Sequence, residues 1–460
     1  MQKIKFLDRE KELSFLQEMY NKSGGLIIIY GRRRVGKTEL IKQFISEKKH
    51  LYYLADKRGT PINAKNMAKL AAETFNEVPI VAENFDDVFK FIGKRINEKF
   101  IVVIDEFSYL VKKDSAIPSI FQLIIDEIIR EKDILLILSG SSISMMYNGT
   151  LSYKSPLYGR KLGEWKLNPL NFKDIIKFFP GTSIENSIQF YAIFGNIPAF
   201  LIPVDSSKTL KENIINNLLK KGSRLYREPE FLLKEELRDP SRYISIFEAL
   251  CQSTKLSEIA SKSGVPAKDM PKYFEVLSEL ELVKKEIPVT EKKTKNSHYY
   301  INDNLFYFYF RFVHPYISLL EEGREELVYT KMELSLQLRF SNAFENIMRE
   351  NVENHLSFLS ERTGRWWGHS RKNEIRTEEE IDIVTLNAAE MKIAFIECKY
   401  TNLTYKDTLQ IITDLKRKAG IVNWFDRQGT EFFGVAAKKI EGKEEFKEKG
   451  YIMIDLEDFK

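Results

Sequence analysis

A phosphate-binding loop is the first set of residues whose types and spacing specify a chemistry. The run Gly-Arg-Arg-Arg-Val-Gly-Lys-Thr fits the pattern G-x-x-x-x-G-K-T, between an apolar strand at 26–30 and a helix at 39–45. A chance glycine–lysine turn would lack that setting. In such a loop the glycines let N–H groups converge on phosphates, the lysine reaches the β- and γ-phosphates, and the threonine ligates Mg²⁺. ATP and Mg²⁺ are therefore the expected cofactors, with these loop residues as ligands and Lys37 also catalytic: Gly31, Arg32, Arg33, Arg34, Val35, Gly36, Lys37 and Thr38.

Three further positions can complete a site for ATP hydrolysis. An apolar strand within 100–110 ends in Asp105, expected to hold the Mg²⁺ shell, and Glu106, expected to orient or deprotonate the attacking water. A strand at 134–138 runs into serines, where Ser141 either senses the γ-phosphate or caps the next helix. Arg160 follows a turn-rich segment and is predicted to bring a cation to the γ-phosphate, the alternative being an ordinary surface arginine.

These motifs occur in an order that resembles a known family. Residues 6–13, the phosphate-binding loop, 103–107, 138–141, 157–160 and 194–198 together look like the archaeal and bacterial ATPases related to the AAA+ and STAND classes. The resemblance spans residue 1 to about 235 and implies a P-loop parallel sheet with a helical lid. It also implies that Pro198, in the Gly195–Pro198 element, contacts the nucleotide from that lid. Two glycines often precede Ile-Pro in this family, whereas this chain has Gly195-Asn196.

Composition limits the remaining function classes. With 460 residues, 43% hydrophobic and 30% charged, the chain is globular and long enough for about three domains. A net charge of +5 makes any nucleic-acid surface a local patch. Two cysteines and five histidines give neither a disulfide framework nor zinc-ligand spacing. We expect a cytoplasmic protein, since no apolar run is long enough to span a membrane and no signal-peptide pattern is present.

Residues 236–301 are predicted to form a winged-helix domain. Apolar residues recur at helical spacing in three segments, which predicts three helices. Two predicted strands follow, and the turn between them carries the basic residues Lys292, Lys293 and Lys295. Helix-turn-helix plus a basic hairpin is a DNA-binding geometry, so DNA is the expected partner. The alternative is a winged helix used only for protein packing, because the third helix is rich in glutamate. An aromatic helical connector is predicted at 302–330.

Residues 331–460 carry a second chemical pattern. Asp382 lies on one predicted strand and Glu397-x-Lys399 on the next, so a hairpin can place the acids side by side, with Glu397 and Lys399 on one face. Glu345 lies in an earlier predicted helix, 341–356. This order resembles the PD-(D/E)xK nuclease-like superfamily, which implies metal ligation by Asp382 and Glu397 and catalytic roles for Glu345, Asp382, Glu397 and Lys399. The alternative is a solvated or inherited acidic face.

The expected fold class is α/β. A P-loop NTPase sheet with a helical lid occupies 1–235, then come the winged helix, the connector and a restriction-endonuclease-like α/β domain. The favoured function is an ATP-binding and ATP-hydrolysing enzyme that acts on DNA through a metal-dependent nuclease-like domain. The oligomeric state is left open, with a homo-oligomer as one alternative. A STAND-like signalling or toxin–antitoxin-type switch, whose C-terminal domain only binds a partner, is the alternative. A transcription regulator is a third.

Overall fold

A computed structural model describes residues 9–22, 24–237, 239–292, 294, 296–372, 375–424 and 428–459, with backbone alone at 371, 372, 375 and 376. The chain divides into two compact units. The N-terminal unit is Met1–Leu170 with Ile197–Ile202, and the C-terminal unit is Asn171–Asn196 with Pro203–Lys460. The predicted division into four domains, with its first boundary at 235, stays a prediction. Residues 6–8 of the family pattern, and wing residues Lys293 and Lys295, lie outside the described residues.

The N-terminal unit is built on a five-stranded parallel sheet with strand order β2-β3-β4-β1-β5. Strands β3 and β4 are buried at every position, as expected of a parallel sheet covered on both faces. The α/β class and the parallel sheet predicted from the sequence are confirmed. The elements are α1 (Glu10–Tyr20), β1 (Gly25–Tyr30), α2 (Lys37–Ile45), β2 (His50–Leu54), α3 (Thr60–Phe75), α4 (Phe85–Gly93), β3 (Phe100–Asp105), α5 (Ser108–Lys113), α6 (Ile117–Ile124), β4 (Ile134–Gly140), α7 (Ile143–Met146) and β5 (Lys161–Lys166).

The strand order sets where the chemistry lies. Because the strands are parallel, their carboxyl ends share one edge, where ligands of open α/β sheets bind. Strand β1 ends at the phosphate-binding loop, β3 ends at Asp105, and β4 lies between them. The residues after β4 are therefore placed between the loop and the acidic pair.

The first part of the C-terminal unit is mostly helical. Three of its helices are followed by an antiparallel hairpin, and Lys255 before the second helix bridges to His298 in that hairpin. Apolar residues at helical spacing give each of these helices one buried face, and in the second helix the buried residues are Ile259 and Ala260. The elements are α8 (Phe172–Phe178), α9 (Ile184–Phe194), α10 (Pro198–Leu201, in the N-terminal unit), α11 (Leu210–Ile214), α12 (Glu228–Glu236), α13 (Pro240–Leu250), α14 (Leu256–Ser263), α15 (Met270–Glu279), β6 (Val283–Glu286), β7 (His298–Ile301), α16 (Asn304–Phe308) and α17 (Ile317–Glu321).

The last part of the C-terminal unit is a long helix and a mixed sheet. Its strand order is β12-β11-β10-β9-β8, antiparallel from β8 to β10 and parallel from β10 to β12. The parallel pair β10 and β11 is joined by a helix, as parallel strands require. The elements are α18 (Glu325–Asn351), β8 (Arg362–Lys372), β9 (Ile375–Asn387), β10 (Lys392–Leu403), α19 (Tyr405–Ala419), β11 (Thr430–Ile440), α20 (Lys443–Glu448) and β12 (Ile452–Ile454).

The helix that carries Glu345 differs from its predicted extent. It begins at Glu325 and ends at Asn351, whereas the sequence predicted 341–356. Buried residues recur at helical spacing from Val328 through Met332 and Leu336, so the apolar stripe starts well before residue 341. The helix therefore crosses the predicted boundary at 330. No helix within the described part of the chain is long and apolar enough to cross a membrane.

Candidate functional site

The phosphate-binding loop has the backbone that its glycines predict. Gly31 has φ +151°, and a Cβ there would meet the Leu167 carbonyl oxygen at 2.4 Å, so no other residue fits. Gly36 has φ +101° and directly precedes α2. The Lys37 side chain is buried, and its Nζ donates to the carbonyls of Gly31 and Arg32 at 2.9 Å each. The lysine charge is thus held in the mouth of the loop, ahead of a helix N-terminus that favours anions.

Thr38 and Asp105 meet although they lie on different elements. The Thr38 hydroxyl donates to Oδ2 of Asp105 at 2.6 Å, and Asp105 is buried. A hydroxyl and a carboxylate side by side are the hard oxygen donors that Mg²⁺ takes together with nucleotide phosphates. The residues present therefore fit the predicted Mg²⁺ site.

Tyr52 is part of this arrangement and was not predicted. Its hydroxyl donates to the same Oδ2 of Asp105 at 2.7 Å. Burial, and then the Asp105 carboxylate, raise the pKa of the Tyr52 hydroxyl, so it stays a donor. Little in the sequence indicated this contact. Side chains alternate between the two faces of β2, and Tyr52 falls on the same face as His50.

Glu106 and Ser141 form the second contact between strand ends. The Ser141 hydroxyl donates to Oε2 of Glu106 at 2.8 Å, and the Glu106 amide donates to Oδ1 of Asp105 at 2.9 Å. Glu106 has φ +55°, an unusual conformation for a residue with a side chain. The residue at the N-cap position of α7 is Ser142, and its side chain makes no cap hydrogen bond. A serine cap on this helix, the alternative prediction, is therefore wrong at that position. Ser141 lies between the loop and the acids, as predicted, and its contact with the γ-phosphate stays a prediction.

Arg160 and Pro198 are the remaining predicted positions of this unit. Arg160 is bound to Asp126, with Nε donating to its carboxylate at 2.9 Å and Nη1 donating to the Pro156 carbonyl at 2.9 Å. The guanidinium is thus committed to a neighbouring helix, and its catalytic role stays a prediction that would require breaking this pair. Pro198 is the first residue of α10. Its contact with nucleotide is likewise still a prediction.

The β9–β10 hairpin brings the C-terminal acids together. Ile383 is opposite Ile396, so Asp382 and Glu397 lie at adjacent places on neighbouring strands. Oδ2 of Asp382 accepts the Cys398 N–H at 2.8 Å. Lys399 Nζ donates to Oε1 of Glu397 at 2.9 Å, so these two side chains share a face as predicted. The hairpin thus assembles the pattern that was read from separate strands.

Lys418 and Arg365 complete this cluster and were not predicted. Lys418 Nζ donates to both carboxylate oxygens of Glu397, at 3.2 and 3.3 Å. Arg365 Nη2 donates to Oε2 of Glu345 at 2.7 Å. A signal for Lys418 existed, since it lies three residues after buried Leu415 on α19 and so borders the packed face. Nothing in the sequence relates Arg365 to Glu345.

The acids of this cluster perturb one another. Burial, then Glu397 and Glu345, raise the pKa of Asp382 to about 7. Burial also raises the pKa of Glu345, against the opposing effect of Arg365. Burial disfavours the charge on Lys399, but Glu397 outweighs it and raises the pKa of that lysine. Three carboxylates therefore converge at a place where at least one of them resists ionisation.

The fit of a metal ion here rests on two carboxylates. Among the residues that the structure describes, no group of three or more His, Cys, Asp and Glu side chains could hold a metal. Mg²⁺ is commonly held by one or two carboxylates, with water and substrate phosphate completing its shell. Asp382 and Glu397 fit that smaller requirement, and the Lys399 and Lys418 ammonium groups would have to share Glu397 with the ion.

The wing of the predicted winged helix is attached to the C-terminal sheet at its base. The Val289 amide donates to the Arg365 carbonyl at 3.0 Å, and Val289 is buried in one core with Trp366. The imidazole of His298 stacks on Trp367, with ring centroids 4.6 Å apart. Lys292 is exposed at the wing tip. These contacts support the packing alternative for the wing base, and the tip remains a predicted DNA contact.

Comparison with known proteins covers the whole chain. Residues 6–202 match the model of an ATPase domain predominantly from Archaea, and residues 309–411 match a model of archaeal and bacterial proteins of unknown function. An uncharacterized protein of Methanocaldococcus jannaschii is 35% identical over 462 residues, 99% of this chain and 100% of that protein. An uncharacterized ATP-binding protein of the same organism is 53% identical over 47 residues, 10% of this chain and 80% of that protein.

Solved structures with related folds are more distant. The Walker-type ATPase of Pyrococcus abyssi has a TM-score of 0.48 and 20% identity, covering 66% of this chain and 96% of its own. An Aeropyrum pernix ORC2 protein solved with ADPNP and ADP has a TM-score of 0.43 and 13% identity, covering 71% and 95%. Because both TM-scores are below 0.5, neither likeness bears on the function of this chain. The matched ATPase domain does, and the chain belongs, with the Methanocaldococcus jannaschii protein that is 35% identical to it, to a family of archaeal P-loop ATPases.

Proposed function

We propose that this ATPase acts on DNA and that its C-terminal unit is a Mg²⁺-dependent phosphodiesterase of the PD-(D/E)xK type. The observation that carries the proposal is the order helix, three antiparallel strands, helix, parallel strand, with the four predicted residues on its first helix, second strand and third strand. Glu345 lies on α18, Asp382 on β9, and Glu397 and Lys399 on β10. A solvated acidic face would not have Glu397 only 8% exposed.

Three residues of this cluster have distinct parts in phosphodiester cleavage. A bound Mg²⁺ would lower the pKa of a coordinated water and offset charge on the scissile phosphate. Asp382 and Glu397 would supply the carboxylate oxygens that hold it. Lys399 extends from the same face and donates to the attacking water or to the charge that develops on phosphorus-bound oxygen. The water oxygen forms the new bond to phosphorus and loses a proton to solvent. The bond from phosphorus to the departing ester oxygen breaks, and that oxygen takes up a proton from solvent.

The N-terminal unit supplies the nucleotide switch. Lys37 would contact the β- and γ-phosphates, Thr38 and Asp105 would hold Mg²⁺, and Glu106 would take the proton of the attacking water. The Ser141 hydroxyl bond to Glu106 keeps that carboxylate at the strand edge. In this proposal ATP binding or hydrolysis licenses cleavage in the C-terminal unit, which makes nuclease activity depend on the nucleotide.

A nuclease assay on the full chain tests the proposal. Labelled single- and double-stranded DNA is incubated with Mg²⁺ or Mn²⁺, with and without ATP. Glu397→Gln should abolish cleavage because it removes a metal ligand, and Lys399→Met should abolish cleavage while sparing Mn²⁺ binding. Lys392→Met is the matched control, since it removes a lysine from the start of the same strand, where Lys392 pairs with Glu390. Unchanged cleavage by Glu397→Gln, or no cleavage of DNA under any of these conditions, would refute the proposal.

A second candidate is an ATP switch of STAND type whose C-terminal unit binds a partner without cutting nucleic acid. The observation that favours it is the pairing of two of the three acids with cations, since Lys399 and Lys418 both bind Glu397, and Arg365 binds Glu345. It predicts ATP hydrolysis that is unaffected by Glu397→Gln, together with no divalent-ion binding by the C-terminal acids. Calorimetric titration of Mn²⁺ into the wild type and Glu397→Gln separates the two candidates.

A further inference from the structure

A cavity with a charged lining lies between the β6–β7 hairpin and the C-terminal sheet. Its volume is about 630 Å³. One wall is formed by the hairpin and the segment before α14, the other by α18, β8 and β9. Its charged and aromatic lining is Lys255, Glu258, Lys284, His298, Tyr300, Tyr307, Arg339, Glu345, Arg365, Glu378, Glu380 and Asp382. The cavity is therefore lined by Glu345 and Asp382, two of the four residues of the proposed phosphodiesterase site.

Two cations of this cavity, Lys284 and Arg365, come from different walls, and each is paired with a carboxylate that a bound phosphate would compete with. Lys284 reaches the cavity from the hairpin, where burial lowers the pKa of its ammonium and Glu286 opposes that change. Arg365 reaches it from β8. Glu345 and Asp382 lie in the same cavity, so the two signs of charge alternate across a small space. A phosphate accompanied by a divalent ion would match such a mixture, because the cations would contact the phosphate oxygens and the carboxylates would hold the metal.

The hairpin also offers a surface for a nucleobase. His298 is 8% exposed, lines the cavity, and its Nε2 has no hydrogen-bond partner among the described residues. Burial lowers the pKa of this imidazole, so its ring is neutral at neutral pH and can donate or accept a hydrogen bond. Tyr300 lies beside it and also lines the cavity. Because the His298 ring is already stacked on Trp367, the hairpin would contact a base through the Nε2 edge of His298 and through the Tyr300 side chain.

The size of the cavity selects the form of the nucleic acid. Its volume is that of a small-ligand pocket, about 300–1,000 Å³. Duplex DNA, whose major groove alone is about 12 Å wide, does not enter such a space as an intact helix. A single unpaired nucleotide does fit into a space of this size. The wing base is attached to β8 through Val289 and Arg365, so the hairpin wall is fixed in place.

We propose that this cavity receives an unpaired nucleotide of a nucleic-acid strand, with its phosphate between Lys284 and Arg365 and its base against His298 and Tyr300. The proposal rests on the proposed function and narrows its substrate class to single strands and strand ends. It gives the β6–β7 hairpin the role of a strand-binding wall of the phosphodiesterase site, separate from any duplex contact by the wing tip.

Binding without cleavage tests the cavity independently of the nuclease activity. The full chain is titrated with a fluorescent oligo(dT) in Ca²⁺ at several salt concentrations. Lys284→Met should weaken binding and lower the slope of log affinity against log salt by about 0.7, the value for one lost phosphate contact on a single strand. Lys285→Met is the matched control, since the neighbouring lysine is exposed and does not line the cavity. Equal slopes and affinities for the two variants would overturn the proposal.

A second pair of variants guards against loss of folding, since Lys284 is paired with Glu286. Asn342→Asp adds one negative charge to the cavity lining, and Gln337→Glu adds one to an exposed position of the same helix. The first should weaken oligo(dT) binding at least several-fold more than the second, with the melting temperature unchanged. Equal effects would overturn the proposal.

Cleavage of matched substrates then separates the two proposals. Single strands and overhangs should be cut, and a covalently closed duplex should not. Equal cleavage of the closed duplex would overturn the assignment of the cavity and leave the phosphodiesterase intact. Binding that depends on Lys284, without cleavage of any substrate, would refute the phosphodiesterase and support nucleotide binding in the cavity.

Discussion

Asp382→Asn is expected to stabilise the C-terminal unit, although it removes a residue of the proposed site. Asp382 is an acid whose pKa rises from 3.8 to about 7 on folding, with burial as the first cause and Glu397 and Glu345 next. The folded protein therefore favours the protonated form. The cost of ionisation grows as pH rises above 3.8 and is fully present above about pH 7. Asparagine is neutral at every pH and can still accept the Cys398 N–H.

The size of the effect follows from the shift. About three pKa units correspond to roughly 4 kcal/mol in the free energy of unfolding at pH 8, at about 1.36 kcal/mol per unit. At pH 5 most of the folded carboxyl is already neutral, and the same linkage leaves about 2 kcal/mol. The stabilisation by Asp382→Asn should therefore be about twice as large at pH 8 as at pH 5.

Urea unfolding followed by tryptophan fluorescence measures this difference. Trp366, Trp367 and Trp424 lie in the C-terminal unit, so the signal reports mainly on it. Measurements are made in EDTA at pH 8 and pH 5. Asp407→Asn is a control of opposite sign, because Thr404 holds the pKa of Asp407 below its usual value, and that stabilisation is lost as pH falls. Destabilisation by Asp382→Asn, or equal effects at both pH values, would refute the electrostatic reasoning.

The remaining predictions concern the N-terminal unit. Lys37→Ala should lose most ATP affinity in a fluorescent-nucleotide titration, because the cation that contacts the β- and γ-phosphates is gone. Glu106→Gln should bind ATP like the wild type and hydrolyse it at least about 100-fold more slowly in a phosphate-release assay. Wild-type hydrolysis by Glu106→Gln would contradict its assignment as the base. Arg160→Ala should lower stability by about 1 kcal/mol, since the Pro156 carbonyl loses its donor and Asp126 keeps only its ion pair with Arg130. A large fall in kcat with unchanged stability would instead establish Arg160 as a catalytic residue.

Local sequence was sufficient for the nucleotide site. Its loop residues are contiguous, and a buried strand on one side and a helix on the other fix their conformation. Asp105 and Glu106 follow an apolar strand, and the ends of parallel strands meet at one edge, so their proximity to the loop was predictable. Tyr52 was not predictable in the same way, because its contact with Asp105 depends on which strand pairs with β3.

Only the part of the C-terminal cluster that lies on the β9–β10 hairpin was predictable from the sequence. Register between β9 and β10 follows from strand alternation, and it places Asp382 beside Glu397. Arg365 and Lys418 come from β8 and α19, and their contacts depend on how those elements pack. The attachment of the wing through Val289 has the same origin, since it joins segments far apart in sequence. The charges that modulate the site are thus set by tertiary packing.

The energetics of this cluster bear on whether it is an inherited surface or a site. A solvated acidic face costs little, because water screens each carboxylate. Here Asp382 lines a cavity beside Glu397 and within the field of Glu345, and its pKa of about 7 means that folding opposes its charge. Lys399 and Lys418 compensate Glu397, but the Cys398 N–H is the first contact that favours ionised Asp382. Buried acids whose charges oppose one another are typical of sites that hold a cation or move a proton. Because a divalent ion would relieve this repulsion, Mg²⁺ should stabilise the wild type against urea and leave Asp382→Asn nearly unchanged.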